Sequence, residues 1–154
     1  MHLDEIRHII WDWNGTLLDD VEACVSAINR VLDKRGLARL SVPRHRDIFG
    51  FPVKNYYVAL GFDFSVEDWT GLAREYHDYY GETSRASPLR EGIMEILQAL
   101  RAQAMPMSVL SACELSILDR MLRDRGIRDF FPHIRGLTDL FASSKLEQGR
   151  ALMA

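Results

Sequence analysis

At 154 residues, 47% of them hydrophobic, the chain can fold as one ordinary domain or as a modest core carrying a small insertion, and its composition excludes a disordered protein. A formal net charge of −3 gives no long-range attraction to nucleic acid or to an anionic membrane. The two cysteines, Cys24 and Cys113, stand far apart without metal-ligand spacing, so neither a disulfide framework nor a zinc site is indicated.

The N-terminal residues 1–5 have no basic n-region or apolar core of signal length, and nowhere do eighteen apolar residues run together. A soluble cytoplasmic protein is the expectation. The first predicted element is an apolar, β-prone run, Ile9-Ile10-Trp11, that ends abruptly in Asp12, Gly15 and a cluster of oxygen-bearing side chains. This reads as a buried strand delivering a carboxylate to its tip, the place where open α/β sheets bind ligands. Backbone N–H groups of Trp13 and Asn14 lie in the turn and Gly15 permits close approach, so the tip can hold an anion or attack one. Taken alone, Asp12 and Asn14 are equally readable as turn formers after a strand.

A helix follows, with Val21, Cys24, Val25, Ile28, Val31 and Leu32 at three- and four-residue spacing, Asp19 or Asp20 able to cap it, and Gly36 as its stop. Residues 37–46 read as a polar loop interrupted by Pro43, and Ile48-Phe49-Gly50-Phe51-Pro52 as an apolar one. The basic cluster Arg39, Arg44, His45 and Arg46 fits a solvated loop better than an anion-facing patch. A second helix is predicted around 53–60 and a third over 66–81, the latter with Trp69, Leu72, Ala73, Tyr76 and Tyr80 along one stripe. That stripe suits helix packing better than base stacking.

An α/β rhythm then returns. Residues 87–92 break the pattern, 93–101 form an amphipathic helix, 107–110 a strand ending at Ser111, and 114–125 a helix closed by Gly126. A third strand is predicted at 133–136, and Lys145 opens a terminal helix. The order implies a parallel sheet with helical crossovers.

The run Asp12-Trp13-Asn14-Gly15-Thr16-Leu17-Leu18-Asp19 resembles the first motif of the haloacid dehalogenase-like hydrolase superfamily, Asp-x-Asp-Gly-Thr-Leu-x-Asp. The layout of nearly the whole chain is similar to the phosphoglycolate phosphatase-like branch, with Pro88-Leu89-Arg90-Glu91-Gly92-Ile93 as the return from cap to core. The resemblance implies an α/β fold: a Rossmann-like parallel sheet in a three-layer α/β/α core (residues 1–18 and 88–154), C-terminally incomplete, with an inserted helical-bundle cap (residues 19–87).

It also implies a hydrolase, a Mg²⁺-dependent phosphatase acting on a small phosphorylated metabolite. Asp12 would be the nucleophile that forms an aspartyl-phosphate, and Asp12 with Asn14 would hold Mg²⁺. Asp12, Asn14 and Lys145 form the implied catalytic set. Trp13, Asn14, Thr16, Ser111, Ala112 and Lys145 would bind the phosphoryl group, Ser111 at the second motif and Lys145 at the third. Arg44, Arg46 and Lys54 of the cap are the candidates for leaving-group contacts.

The sequence departs from the pattern in two places. Asn14 stands where the phosphatases carry a second Asp, and an amide cannot exchange a proton with the leaving oxygen at neutral pH, so slowed turnover is expected. The family's fourth strand, whose acidic residues complete the Mg²⁺ site and which lies beside the first strand, has no counterpart before Ala154. A fragment or the ordered part of a longer phosphatase is therefore expected, with a naturally shortened protein as the alternative, and self-association is expected through the exposed edge of the first strand. Two alternatives stay open: a phosphonoacetaldehyde hydrolase-like enzyme in which Lys54 forms a Schiff base, and a non-catalytic module that binds phosphorylated ligands.

Overall fold

A computed structural model describes residues 6–137 and 149–150. The terminal helix expected to open at Lys145 therefore lies outside the described residues. The chain divides into two compact units, a sheet unit and a helical unit, the latter spanning Asp20–Ser87 among the described residues.

The sheet unit is built on three parallel strands in the order β1-β2-β3: β1 over Ile9–Trp11, β2 over Met107–Glu114 and β3 over His133–Leu137. Met107, Ser108 and Val109 are consecutive and all buried, so both faces of β2 are covered, as a parallel sheet requires. Helices α5 (Ile93–Ala102) and α6 (Leu115–Asp124) supply the crossovers, burying Ile93 and Leu97 from one and Leu118, Met121 and Leu122 from the other. β1 is at the edge among the described residues, and Ile10 is 40% exposed there.

β2 runs past the expected stop at Ser111. Its pairing with β3 breaks after Leu110 and resumes at Glu114, an irregularity that lets the strand carry Ser111, Ala112 and Cys113 out of ladder before α6 begins. Glu114 is the N-cap of α6 and not its first turn: its carboxylate accepts from the backbone N of Ser116 at 2.9 Å and of Ile117 at 3.3 Å. Partial burial works to raise the Glu114 pKa, but the bonds from Ser116 and Ile117 outweigh it and hold the carboxyl below the usual glutamate range. A carboxyl depressed in the folded state contributes stability above its unfolded pKa and loses it as pH falls through the folded value. Glu114→Ala should therefore cost about 1 kcal/mol at neutral pH. In thermal unfolding followed against pH, the gap from the parent should close below roughly pH 4.

The helical unit contains α1 (Val21–Asp33), α2 (Val42–Ile48), α3 (Val53–Ala59) and α4 (Trp69–Thr83). Its core gathers Ile28, Val31 and Leu32 from α1, Leu40, Tyr56, Tyr57 and Phe62 from the middle, and Leu72 from α4. The stripe on α4 does pack: Trp69 meets the Tyr57 ring edge-on at 5.4 Å, and Tyr80 is buried. Asn29 fixes the loop before α2 through a reciprocal pair, its Nδ2 donating to the Leu40 carbonyl at 2.9 Å and its Oδ1 accepting from the Leu40 N at 2.7 Å.

Helix α2 corrects the expected polar loop. Ser41 caps it by accepting from the Arg44 backbone N, and Pro43 sits within its first two positions, where the missing N–H has no intrahelical partner to lose. Helix α4 starts at Trp69 and not at residue 66 because Asp68 caps it, accepting from Thr70 N and Gly71 N. Asp20 occupies the N-cap position of α1 without capping it through its side chain; the buried carboxylate instead accepts from the Tyr80 hydroxyl at 2.6 Å and from the Cys24 thiol at 3.5 Å. Burial first, then Asp20, push the Cys24 thiol up to about 12, so it stays protonated and unreactive.

Candidate active site

The parallel register places Ile9 opposite Met107, Ile10 opposite Ser108 and Trp11 opposite Val109. Asp12 follows Trp11 directly and Ser111 lies two residues past Val109, so the two are carried to the same, C-terminal, end of adjacent strands. This is the end at which parallel sheets present ligands.

Beyond Asp12 the chain folds over the Trp13 carbonyl, which accepts from the backbone N of Thr16 at 3.3 Å and of Leu17 and Leu18 at 3.0 Å each. Gly15 has φ +69°, a conformation that side-chain-bearing residues rarely adopt, and this reversal closes the turn. Trp13, Leu17 and Leu18 are completely buried and anchor the turn from below. Asp12 and Asn14 remain half-buried. Thr16 thus spends its amide within the turn, so its expected part in phosphoryl binding does not rest on that N–H.

Ser111 is fully buried, and its Oγ accepts from the Cys113 backbone N at 3.0 Å. The N-cap of α6 is Glu114, three residues further on. Accepting one bond leaves the Ser111 hydroxyl its own hydrogen to donate. Ala112 follows it, half-buried. Lys145 lies outside the described residues.

Arg44 and Arg46 are exposed on α2 and Lys54 is exposed on α3, all in the helical unit. Lys54 holds its ammonium 4.8 Å from the centre of the Phe64 ring. His45, between the two arginines, shares a hydrogen with the Tyr56 hydroxyl at 2.9 Å and stacks on Phe49 at 5.1 Å. Its partial burial holds the imidazole below the usual histidine range.

Among the described residues no group of three or more His, Cys, Asp or Glu side chains is placed to hold a metal ion. Asp12 and Asn14, the residues expected to hold Mg²⁺, both follow directly on β1.

Two residues that shape the site escape a reading of the sequence. A Cβ added at Gly136 would lie 2.7 Å from the Cys113 carbonyl oxygen and from Leu115 Cα, so β3 presses its backbone directly onto the turn that carries Ser111 into α6. A glycine inside a strand is the signal that could have found it. Arg90 donates from Nε to the Gly15 carbonyl at 2.9 Å, and no local pattern announces such a contact.

No curated protein matches the chain. Among solved structures it resembles a predicted phosphoglycolate phosphatase from Haemophilus somnus, at 21% identity and a TM-score of 0.74 over 90% of this chain and 67% of that one. It also resembles a haloacid dehalogenase-like family hydrolase from Streptococcus pneumoniae, at 20% identity and a TM-score of 0.82 over 98% and 70%. Protein Tyrosine Kinase A of Mycobacterium tuberculosis is 26% identical with a TM-score of 0.75, over 87% of this chain and 61% of that one. At 20% and 21% identity the first two likenesses are of fold. The family model of the haloacid dehalogenase-like hydrolases matches residues 9–146, nearly the whole sequence. With Asp12 directly after β1 and Ser111 on β2 inside that match, the chain belongs to the haloacid dehalogenase-like hydrolase family.

Proposed function

We propose that the chain hydrolyses a small phosphomonoester of the phosphoglycolate type through a phosphorylated Asp12. The observation that carries this reading is the placement of a half-buried carboxylate at the C-terminal tip of β1, directly before a turn closed on the Trp13 carbonyl and beside the stretch of β2 that leads into Ser111. An Asp12 oxygen attacks phosphorus, the bond from phosphorus to the ester oxygen breaks, and the leaving alkoxide departs with the electron pair and takes its proton from solvent. Water then attacks the same phosphorus, breaks the Asp12 O–P bond and releases phosphate.

Trp13, Asn14, Thr16, Ser111, Ala112 and Lys145 are the residues assigned to holding the phosphoryl group, with the spare Ser111 hydroxyl hydrogen as a donor. Arg44, Arg46 and Lys54 are assigned to the choice of leaving group. Mg²⁺ is the proposed cofactor, held by the Asp12 carboxylate and the Asn14 main chain. That partial oxygen set suits a hard cation that keeps several waters and takes phosphate oxygens, and the ion would neutralise phosphoryl charge.

The test uses p-nitrophenyl phosphate and Mg²⁺, with acid quenching and mass spectrometry of the Asp12 peptide. Mg²⁺-dependent phosphate release and a phosphoryl adduct on Asp12 are expected, and Asp12→Asn should abolish both and weaken Mg²⁺ binding in calorimetry. Phosphate release that survives Asp12→Asn would overturn the reading.

A further inference from the structure

We propose that Arg90 is a positioning residue, holding the turn after Asp12 in its working shape from the place where the chain re-enters the sheet unit. The proposal rests on the reading of Asp12 as the nucleophile.

The chain leaves the sheet unit after Asp19 and returns at Pro88, and within that unit the two crossing points are tied side by side. Asp19 N donates to the Pro88 carbonyl at 2.9 Å, Arg90 N donates to the Leu17 carbonyl at 3.0 Å, and Leu18 and Leu89 form an antiparallel bridge. The Arg90 side chain reaches beyond this short ladder. Its Nε donates to the Gly15 carbonyl at 2.9 Å and its Nη2 lies 3.7 Å from Asp19 Oδ1. One guanidinium therefore touches both ends of the stretch from Gly15 to Asp19, immediately after Asp12 and Asn14.

The two contacts are unequal. Arg90 and Asp19 are both nearly half exposed, and an ion pair of that kind at 3.7 Å contributes little by itself. The bond to Gly15 is shorter and charge-assisted, and it acts on the peptide that follows a residue at φ +69°, where glycine leaves the backbone free to rotate. Fixing that carbonyl fixes the reversal on which the direction of Asp12 depends. An in-line attack is sensitive to such placement, a shift of about 1 Å being able to cost roughly 10²-fold in rate. Lysine cannot substitute, because its ammonium is a compact point charge on a flexible stem and lacks the fixed direction that the planar guanidinium gives the bond to the Gly15 carbonyl.

The test compares Arg90→Lys, Arg90→Met and Asp19→Asn with the parent chain, using p-nitrophenyl phosphate with Mg²⁺ and amide hydrogen exchange. Both Arg90 variants should lower kcat by roughly 10- to 100-fold with KM held within about threefold, while Asp19→Asn stays within about threefold in both. The Thr16, Leu17 and Leu18 amides should exchange faster in the Arg90 variants, while the α5 amides do not change. An unchanged kcat in Arg90→Lys, or unchanged exchange of those three amides, overturns the proposal, as does faster exchange across α5 with a matching fall in folded fraction. If the parent shows no Asp12-dependent turnover, the phosphatase reading fails, and the exchange of Thr16–Leu18 alone decides whether Arg90 holds the turn.

Discussion

Asn14→Asp should raise phosphomonoester turnover by roughly 10²- to 10⁴-fold, the usual contribution of a positioned general acid-base group. Asn14 lies one residue past Trp13 in the turn that follows Asp12, and its amide can donate or accept a hydrogen bond but has no proton to exchange near neutral pH. In the proposed reaction the leaving oxygen is therefore protonated by solvent, and the water that attacks phosphorus is activated by nothing at position 14. Both half-reactions slow, and the second slows without any change in how substrate binds. A carboxyl introduced beside Asp12 would hold its proton more tightly than an isolated one, because two like charges at one site disfavour each other. That is the property a general acid needs. Rapid-quench measurement should show the aspartyl-phosphate accumulating in the parent and draining in the variant, with KM changed far less than kcat. An unchanged steady-state rate would mean that proton transfer at this position does not limit the chain, and the reading of Asn14 as an impaired catalytic group would fall.

The parts of the fold legible in the sequence are those fixed by short-range patterning. Ile9-Ile10-Trp11 is an apolar run that ends at Asp12, Met107–Leu110 is a mostly apolar one that follows Pro106, and both lie in strands; Ile93, Leu97 and Leu100 repeat at helical spacing, and α5 carries them. Helix α2 is illegible in the sequence because Pro43 reads as an interruption, whereas after a capping Ser41 it is a favoured first-turn residue. The end of β2 is illegible for another reason. Ser111, Ala112 and Cys113 are small and weakly patterned, and they remain in strand through pairing at Glu114 with Leu137 on a distant segment.

The site divides along the same line. Asp12, Asn14 and Gly15 announce themselves as a motif, because a carboxylate, an amide and a reversing glycine after a strand form one local unit. Gly136 and Arg90 do not, since their roles come from backbone brought close by the sheet: Cys113 and Leu115 for the first, Gly15 for the second.

Gly136→Ala should destabilise the sheet unit by about 1–3 kcal/mol, the usual range for an overpacked site. For a chain of this length that corresponds to a fall in Tm of roughly 2–12 °C. Gly136 has no positive φ, so the cost is one of space and not of backbone conformation. The added Cβ would stand 2.7 Å from the Cys113 carbonyl oxygen and from Leu115 Cα, and 2.9 Å from Leu115 N. All three are main-chain atoms, so no flexible side chain can swing aside. Nor can the strands separate cheaply, because Leu137, the next residue, pairs with Glu114, and Glu114 caps α6. Relief must come from shifting the segment between Ser111 and Leu115, which carries the Ser111 hydroxyl and its bond to Cys113 N. Turnover of p-nitrophenyl phosphate should therefore fall by more than the loss of folded protein explains. Gly81→Ala gives the contrast: Gly81 lies in α4 with open space where a Cβ would sit, so alanine there should stabilise by about 0.5–1 kcal/mol through helix propensity. Opposite shifts in Tm for the two substitutions would place the cost at the Gly136 contact and not in the generic loss of a glycine; a Gly136→Ala protein that melts with the parent would show that β3 does not press on this turn.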